Sequence, residues 1–472
     1  MAGTFMAGEL KIRPGAYFNI KNTGNNSANG AQDGVVAVIF KSDFGPLGVA
    51  VELNADEGYE RTYGTSLTTD VMREALAGGA IRLICCRIGK GGTQANVKLK
   101  TDGESPVDAV SITAKYPGTR EFSVTVREKL SDDTKKECII YSGTKEYEKV
   151  EFLAGGNEVK ALVAAFISSE SFLVSAVGNA EGSIASVSQT GFTAGTNPET
   201  TIEDYTNALA AVEMYSFNTI CVDTEDTAVH ALLSTYVDRL YNAGQLALGV
   251  VAEKKNVPLN ERMDHAAAYN SEKMHYVVNA SVKKSDVSLE GYQVAARIAG
   301  MIASVPSNTS LTHSIIDGYT ELEEILTSTQ MERAETMGGI VLSRNANRQI
   351  WIDSAINTLV TLGDNQDDGW KKIRRTKTRY ELITRTNNQA DLLIGKVDND
   401  VNGRATIVSQ VQGVINSMIQ EGKLVSGTVT ESTIYKADGD SSWFGIECID
   451  KDSAEHIYLT FKFRFSTQIQ EG

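Results

Sequence analysis

Between residues 201 and 302 the chain alternates strand-like apolar runs with amphipathic helical patterns, and this constrains its fold more than any other feature. Thr201-x-x-Asp204 has the form of a capping box. It opens a helix with Ile202, Tyr205, Leu209 and Val212 on one face. A strand over 219–222, a helix carrying Val229, Leu232, Tyr236 and Leu240, and strands over 246–252 and 276–280 follow, then a helix over 294–302. Such alternation predicts a mainly parallel sheet covered on both faces. Upstream, Val35 to Phe40 and Ile81 to Ile88 are apolar runs of the same kind, with a helical pattern over 69–77 between them. From 93 to 195 the texture changes. Short alternating runs such as Phe122-Val124-Val126 sit between Gly, Asp and Lys turns, with one helix around 159–167.

The reading is an α/β multidomain protein: an α/β core over 35–92 and 196–345, interrupted by a β-rich insert over 93–195. An α+β C-terminal domain occupies 346–472, and residues 1–34 form an N-terminal arm and an Asn/Gly-rich linker. Both ends are expected to carry extended strand arms.

Composition narrows function by exclusion. A net charge of −15 argues against general nucleic-acid binding, which needs a basic footprint. No apolar run approaches the roughly 18 residues of a membrane span, and residues 1–10 lack the pattern of a secretory signal. The five cysteines (Cys85, Cys86, Cys138, Cys221 and Cys448) have neither disulfide-framework nor zinc spacing. They read as buried hydrophobes of a protein made in a reducing compartment.

The two ends repay attention because termini usually fray. Leu459, Phe461, Phe463 and Phe465 alternate with polar residues almost to the last position, and Ile12, Tyr17, Phe18 and Ile20 lie in a looser version near the start. A ten-residue extended segment reaches about 30 Å, enough to add a strand to another subunit's sheet. Pairing within the same chain is the equal alternative.

Enzymatic readings find little support. Gly64-Thr65-Ser66 echoes the surroundings of a subtilisin-type nucleophile, whose order is Asp, His, Ser. All five histidines (His230, His265, His275, His313 and His456) follow Ser66. Gly89-Lys90-Gly91-Gly92-Thr93 lacks Walker spacing and reads as a turn. Asp364-x-x-Asp367-Asp368-Gly369 reads as a solvated turn, and the histidines have no paired metal spacing. No catalytic, cofactor-binding or metal residue is assigned, and no cofactor is expected.

Several segments, taken in order, resemble contractile phage tail sheath proteins. Val35 to Phe40 followed by Phe44-Gly45-Pro46-Leu47-Gly48-Val49-Ala50-Val51 is similar to that family's opening, and Tyr59 to Gly64 to the short helix after it. Leu76-Ala77-Gly78-Gly79-Ala80 before Ile81, with Arg87 closing the strand, resembles its helix, Gly-Gly, strand passage. Tyr116-Pro117-Gly118-Thr119 is similar to the turn that starts the family's inserted domain. Ile356 to Leu359, Lys371 to Tyr380, Ile394 to Asn399 and Gly403-Arg404 follow in family order, whereas Ala194 to Pro198 departs from the usual Gly-Gly-x-Asp-Gly turn.

The resemblance implies a structural subunit and not an enzyme. It would form stacked hexameric rings around an inner tail tube and contract to drive the tube through a cell envelope. Its partners would be other copies of itself, the tube protein, and baseplate and tail terminator proteins, with no nucleic acid and no membrane insertion. Its place would be a virion tail assembled in a bacterial cytoplasm. A headless injection device or R-type bacteriocin is the alternative, and a cytosolic α/β hydrolase a remote one. The resemblance also puts the C-terminal domain next to the tube. There Lys371, Lys372, Arg374, Arg375, Lys377 and Arg379 read as a basic strand, with Lys371, Arg375, Lys377 and Arg379 on one face. They either face the tube or are neutralised locally by Asp364, Asp367 and Asp368.

Overall fold

Six consecutive apolar residues, Val35–Phe40 (β1), are buried without a break, as a strand must be when both faces of its sheet are covered. The computed structural model describes residues 3–4, 17–18, 34–364 and 366–463, and places β1 inside a seven-stranded sheet. Its other strands are Ala50–Asn54 (β2), Arg82–Arg87 (β3), Thr219–Val222 (β4), Leu248–Ala252 (β5), Met274–Val277 (β6) and Gly339–Ile340 (β7). Their order is β7-β6-β5-β4-β1-β3-β2. All neighbours run parallel except the edge strand β2, which is antiparallel to β3.

The helices Asp70–Ala77 (α1), Ile202–Val212 (α2), Thr227–Ala243 (α3) and Gly291–Ser304 (α4) cover the sheet. Strand alternation sends Val36, Val38 and Phe40 to the core shared with α1 and α4, and Val35, Ala37 and Ile39 to the core shared with α2 and α3. The neighbours Cys85 and Cys86 divide in the same way, one to each core. Burial pushes both thiols up, Cys86 to about 12, so neither is a ready nucleophile. The capping box opens α2, with the Thr201 N–H donating to Asp204 at 2.7 Å.

The α1 and α4 backbones touch. A Cβ on Gly300 of α4 would lie 2.1 Å from the Ala75 carbonyl oxygen of α1 and 3.0 Å from Gly78 Cα. This contact explains one glycine of the Gly78-Gly79 pair. Gly300→Ala would gain about 1 kcal/mol of helix propensity, but overpacking a rigid backbone contact costs about 1–3 kcal/mol or more. Because the added Cβ meets backbone, the upper end of that cost applies, and the expected result is net destabilisation of about 2 kcal/mol, read as a lower urea midpoint.

Between β3 and α2 the chain makes two antiparallel sheets. One runs Lys145–Leu153, Asp132–Ser142, Phe122–Lys129, Val187–Gly191; the other runs Phe172–Ala176, Asp108–Pro117, Gln94–Lys100. They close around Phe44, Phe122, Tyr147 and Phe172. The outgoing and returning strands lie side by side, bridging at Lys90–Glu199 and Thr93–Thr196. Arg87 fastens this region: its fully buried guanidinium donates to the carbonyls of Ser42, Gly45 and Pro117.

Toward the C-terminus, helices Ile373–Asp391 (α5) and Val401–Gln420 (α6) pack with the antiparallel hairpin Leu424–Glu431 (β8) and Phe444–Asp450 (β9). Their core is small: Val411, Ile415, Met418, Leu424 and Val429. Here the structure corrects the expected basic strand over 371–380. Lys371 ends a 3-10 turn, Lys372 is the extended residue before α5, and the remainder lies in α5. The Thr376 and Thr378 hydroxyls bond to carbonyls, of Lys372 and Ser307. The helix runs on to Asp391.

Candidate inter-subunit interface

After β9 the chain continues through 451–463 with no strand pairing. Its base is pinned. Lys372 Nζ, at the start of α5, lies 2.8 Å from Asp452 and 3.2 Å from Glu455. The Ser310 hydroxyl donates to Glu455 at 2.8 Å. Burial opposes charge on all three groups, yet their bonds prevail: Lys372 is held above its ordinary value, Asp452 below its own by Lys372, and Glu455 below its own by the Ser453 and Ser310 hydroxyls and then by Lys372.

Beyond this anchor the arm is bare. Leu459, Phe461 and Phe463 are 72%, 73% and 83% exposed, and Ile457 is exposed as well. The Phe461 and Phe463 rings stack on each other with centroids 6.4 Å apart. The strand expected at this end has no ladder partner among the described residues. Phe465, Ile12 and Ile20 lie outside the described residues. Tyr17–Phe18 pairs in parallel with Gly3–Thr4, beside α5 and α3 respectively.

The six cations are brought together inside the C-terminal region. Arg375 forms a two-pronged pair with Asp450, at 2.7 and 3.1 Å, and reaches Asp367 at 3.0 Å. Burial would pull the guanidinium down, but these bonds carry it upward; the same burial pushes Asp450 up against the pull of Arg375. Arg379 pairs with Glu272 and stacks over Trp370 at 3.6 Å. Lys377 donates to the carbonyls of Ile302 and Val305. Arg374 is buried near Asp450, Asp452 and Glu455. Half-exposed Lys371 pairs with Asp368 at 3.1 Å. Asp367 was foreseeable as a partner. Asp450, Glu455 and Glu272 were not, because they lie 75 residues or more away or on another element, and no spacing rule joins them.

Among the described residues the hairpin is a two-stranded sheet with no third strand on either side. Val425, Ile446 and Ile449 on it are exposed. A bare alternating segment and a sheet edge without a neighbour are the two features that strand addition uses. Comparison with known proteins places the chain further. Residues 199–358 match the family model for the phage tail sheath protein central domain, so the resemblance to contractile tail sheath proteins stands, and that family is structural, not enzymatic. The tail sheath protein of Clostridium phage phiCD119 is 24% identical over half of this chain and 61% of its own length. The sheath tail protein of Desulfitobacterium hafniense shares the fold, with a TM-score of 0.68 and 20% identity over 93% of this chain and all of that one. The sheath of an extracellular contractile injection system, solved in its contracted state, matches with a TM-score of 0.52 and 10% identity over 96% of this chain and 99% of that one.

Proposed function

We propose that this chain is the repeating subunit of a contractile tail sheath in a phage or prophage tail. Copies stack as hexameric rings around an inner tube, held by a baseplate at one end and a tail terminator at the other. Contraction of the stack drives the tube through the target envelope. The particle is assembled in the bacterial cytoplasm. The observation that carries this reading is the bare arm over 457–463, anchored at Asp452 and Glu455, in a chain whose β8–β9 hairpin has no third strand among the described residues. The likeness to a contracted injection-system sheath favours a headless device as the second reading, with the same role for the chain.

Docking Leu459, Phe461 and Phe463 on a neighbour contributes about 5–9 kcal/mol gross, at about 1.5–3 kcal/mol for each side chain. Association costs about 4–15 kcal/mol in lost freedom. One arm alone therefore holds weakly, and a stable polymer needs the backbone ladder and several neighbours per subunit. Pinned arms also let bodies rotate during contraction without separating. The work requires no nucleotide when the extended state is a trapped, higher-energy packing.

Concentrated purified protein is expected to assemble into long hollow tubes, seen by negative-stain microscopy. A monodisperse monomer at every concentration would count against a sheath.

A further inference from the structure

The two edges of the hairpin are not equivalent. From α6, the Gln412 carboxamide reaches the outer edge of β8, where Nε2 donates to the Gly427 carbonyl at 2.9 Å and Oε1 accepts from the Val429 N–H at 3.0 Å. One carbonyl and the amide two residues further on are the pair that a single residue of a parallel neighbouring strand would bond. The same Nε2 also donates to Asn416 at 3.1 Å, which steadies the side chain from within its own helix.

On the other side, β9 has nothing comparable. The Ser432 N–H donates to the Trp443 carbonyl at 2.8 Å, which sets the alternation of bonded pairs along the hairpin. Thr430–Gly445 and Thr428–Glu447 are then the inward-bonded pairs, so Phe444, Ile446 and Cys448 turn their backbone groups outward. Among the described residues no hydrogen bond meets those groups.

We propose that the Gln412 carboxamide stands in for a neighbouring strand along β8 and so directs the C-terminal arm of a second copy to β9. This rests on the sheath-subunit reading and adds which edge receives the arm and what selects it. The occupant is the 457–463 segment of another copy because the chain's own arm is carried away from β9 by the Asp452 and Glu455 contacts to Lys372 and Ser310. The arm also carries Lys462, and exposed Glu447 lies on the receiving strand, so their charges are complementary. An arm arriving at β8 would first have to break both bonds to Gln412.

The test uses disulfide trapping between two full-length chains mixed during assembly. One chain carries a cysteine in the arm, at Tyr458, Thr460 or Lys462 in turn. The other carries Glu447→Cys on β9 or Thr428→Cys on β8, positions that face each other across the hairpin and differ only in edge. A disulfide needs Cα atoms within about 7 Å, so it separates the adjacent strand from the next one. Trapping at Glu447→Cys is expected to exceed trapping at Thr428→Cys at least tenfold. Adding Gln412→Ala, or Gln412→Glu, which keeps the acceptor and loses the donor, should bring the two toward parity. An unchanged ratio in those variants, or a preference for Thr428→Cys with Gln412 intact, overturns the proposal. Tubes that form with no disulfide at either edge overturn the edge assignment alone; chains that neither cross-link nor assemble overturn the sheath reading along with it.

Discussion

Replacing Phe461 and Phe463 together by Asp is expected to abolish tube formation while leaving the body folded. Both rings are exposed in the single chain, so the subunit loses no core contact. In the polymer the same change removes the burial of two aromatic side chains, about 3–6 kcal/mol per arm. It also places two carboxylates against a neighbour's sheet. At 1.4 kcal/mol per tenfold, the critical concentration rises by at least about a hundredfold. Light scattering and microscopy read the assembly, and circular dichroism reads the fold. Loss of the circular dichroism signal would instead assign the arm to the subunit's own core.

The second large effect is expected inside the C-terminal region. Arg375→Ala leaves Asp450 buried without its two-pronged partner. Removing one member of a buried ion pair costs about 3–5 kcal/mol. The local core of five buried apolar residues is too small to absorb that loss. Replacing both partners, Arg375→Met with Asp450→Leu, is expected to recover most of the stability, because neither buried member of the pair is then left behind and Asp367, also bonded to Arg375, lies partly open to solvent. The comparison is made by thermal unfolding. An Arg375→Ala midpoint within a degree or two of the parent would mean that the pair is dispensable.

Much of this fold was legible because local pattern and burial agree. The continuous apolar runs at β1 and β3 and the capping box before α2 were read directly, since a doubly covered parallel sheet leaves little choice of residue. The basic segment was expected as a strand from the resemblance over Lys371 to Tyr380, whereas a helix is what lets those cations reach Asp367, Asp450 and Glu272 in three directions. These partners are brought in by the fold and have no sequence spacing to give them away. The apolar face of the C-terminal arm was plain from its alternation. The selective edge was not, because Gln412 is an ordinary polar residue on a helix until β8 is set beside it.

The most direct test is a cryo-electron microscopy map of the assembled tube. The sheath account predicts residues 457–463 as a strand on the β8–β9 sheet of a neighbouring subunit, with the same contact repeated around every ring. An arm folded back on its own chain, with subunits joined only through their bodies, would contradict it.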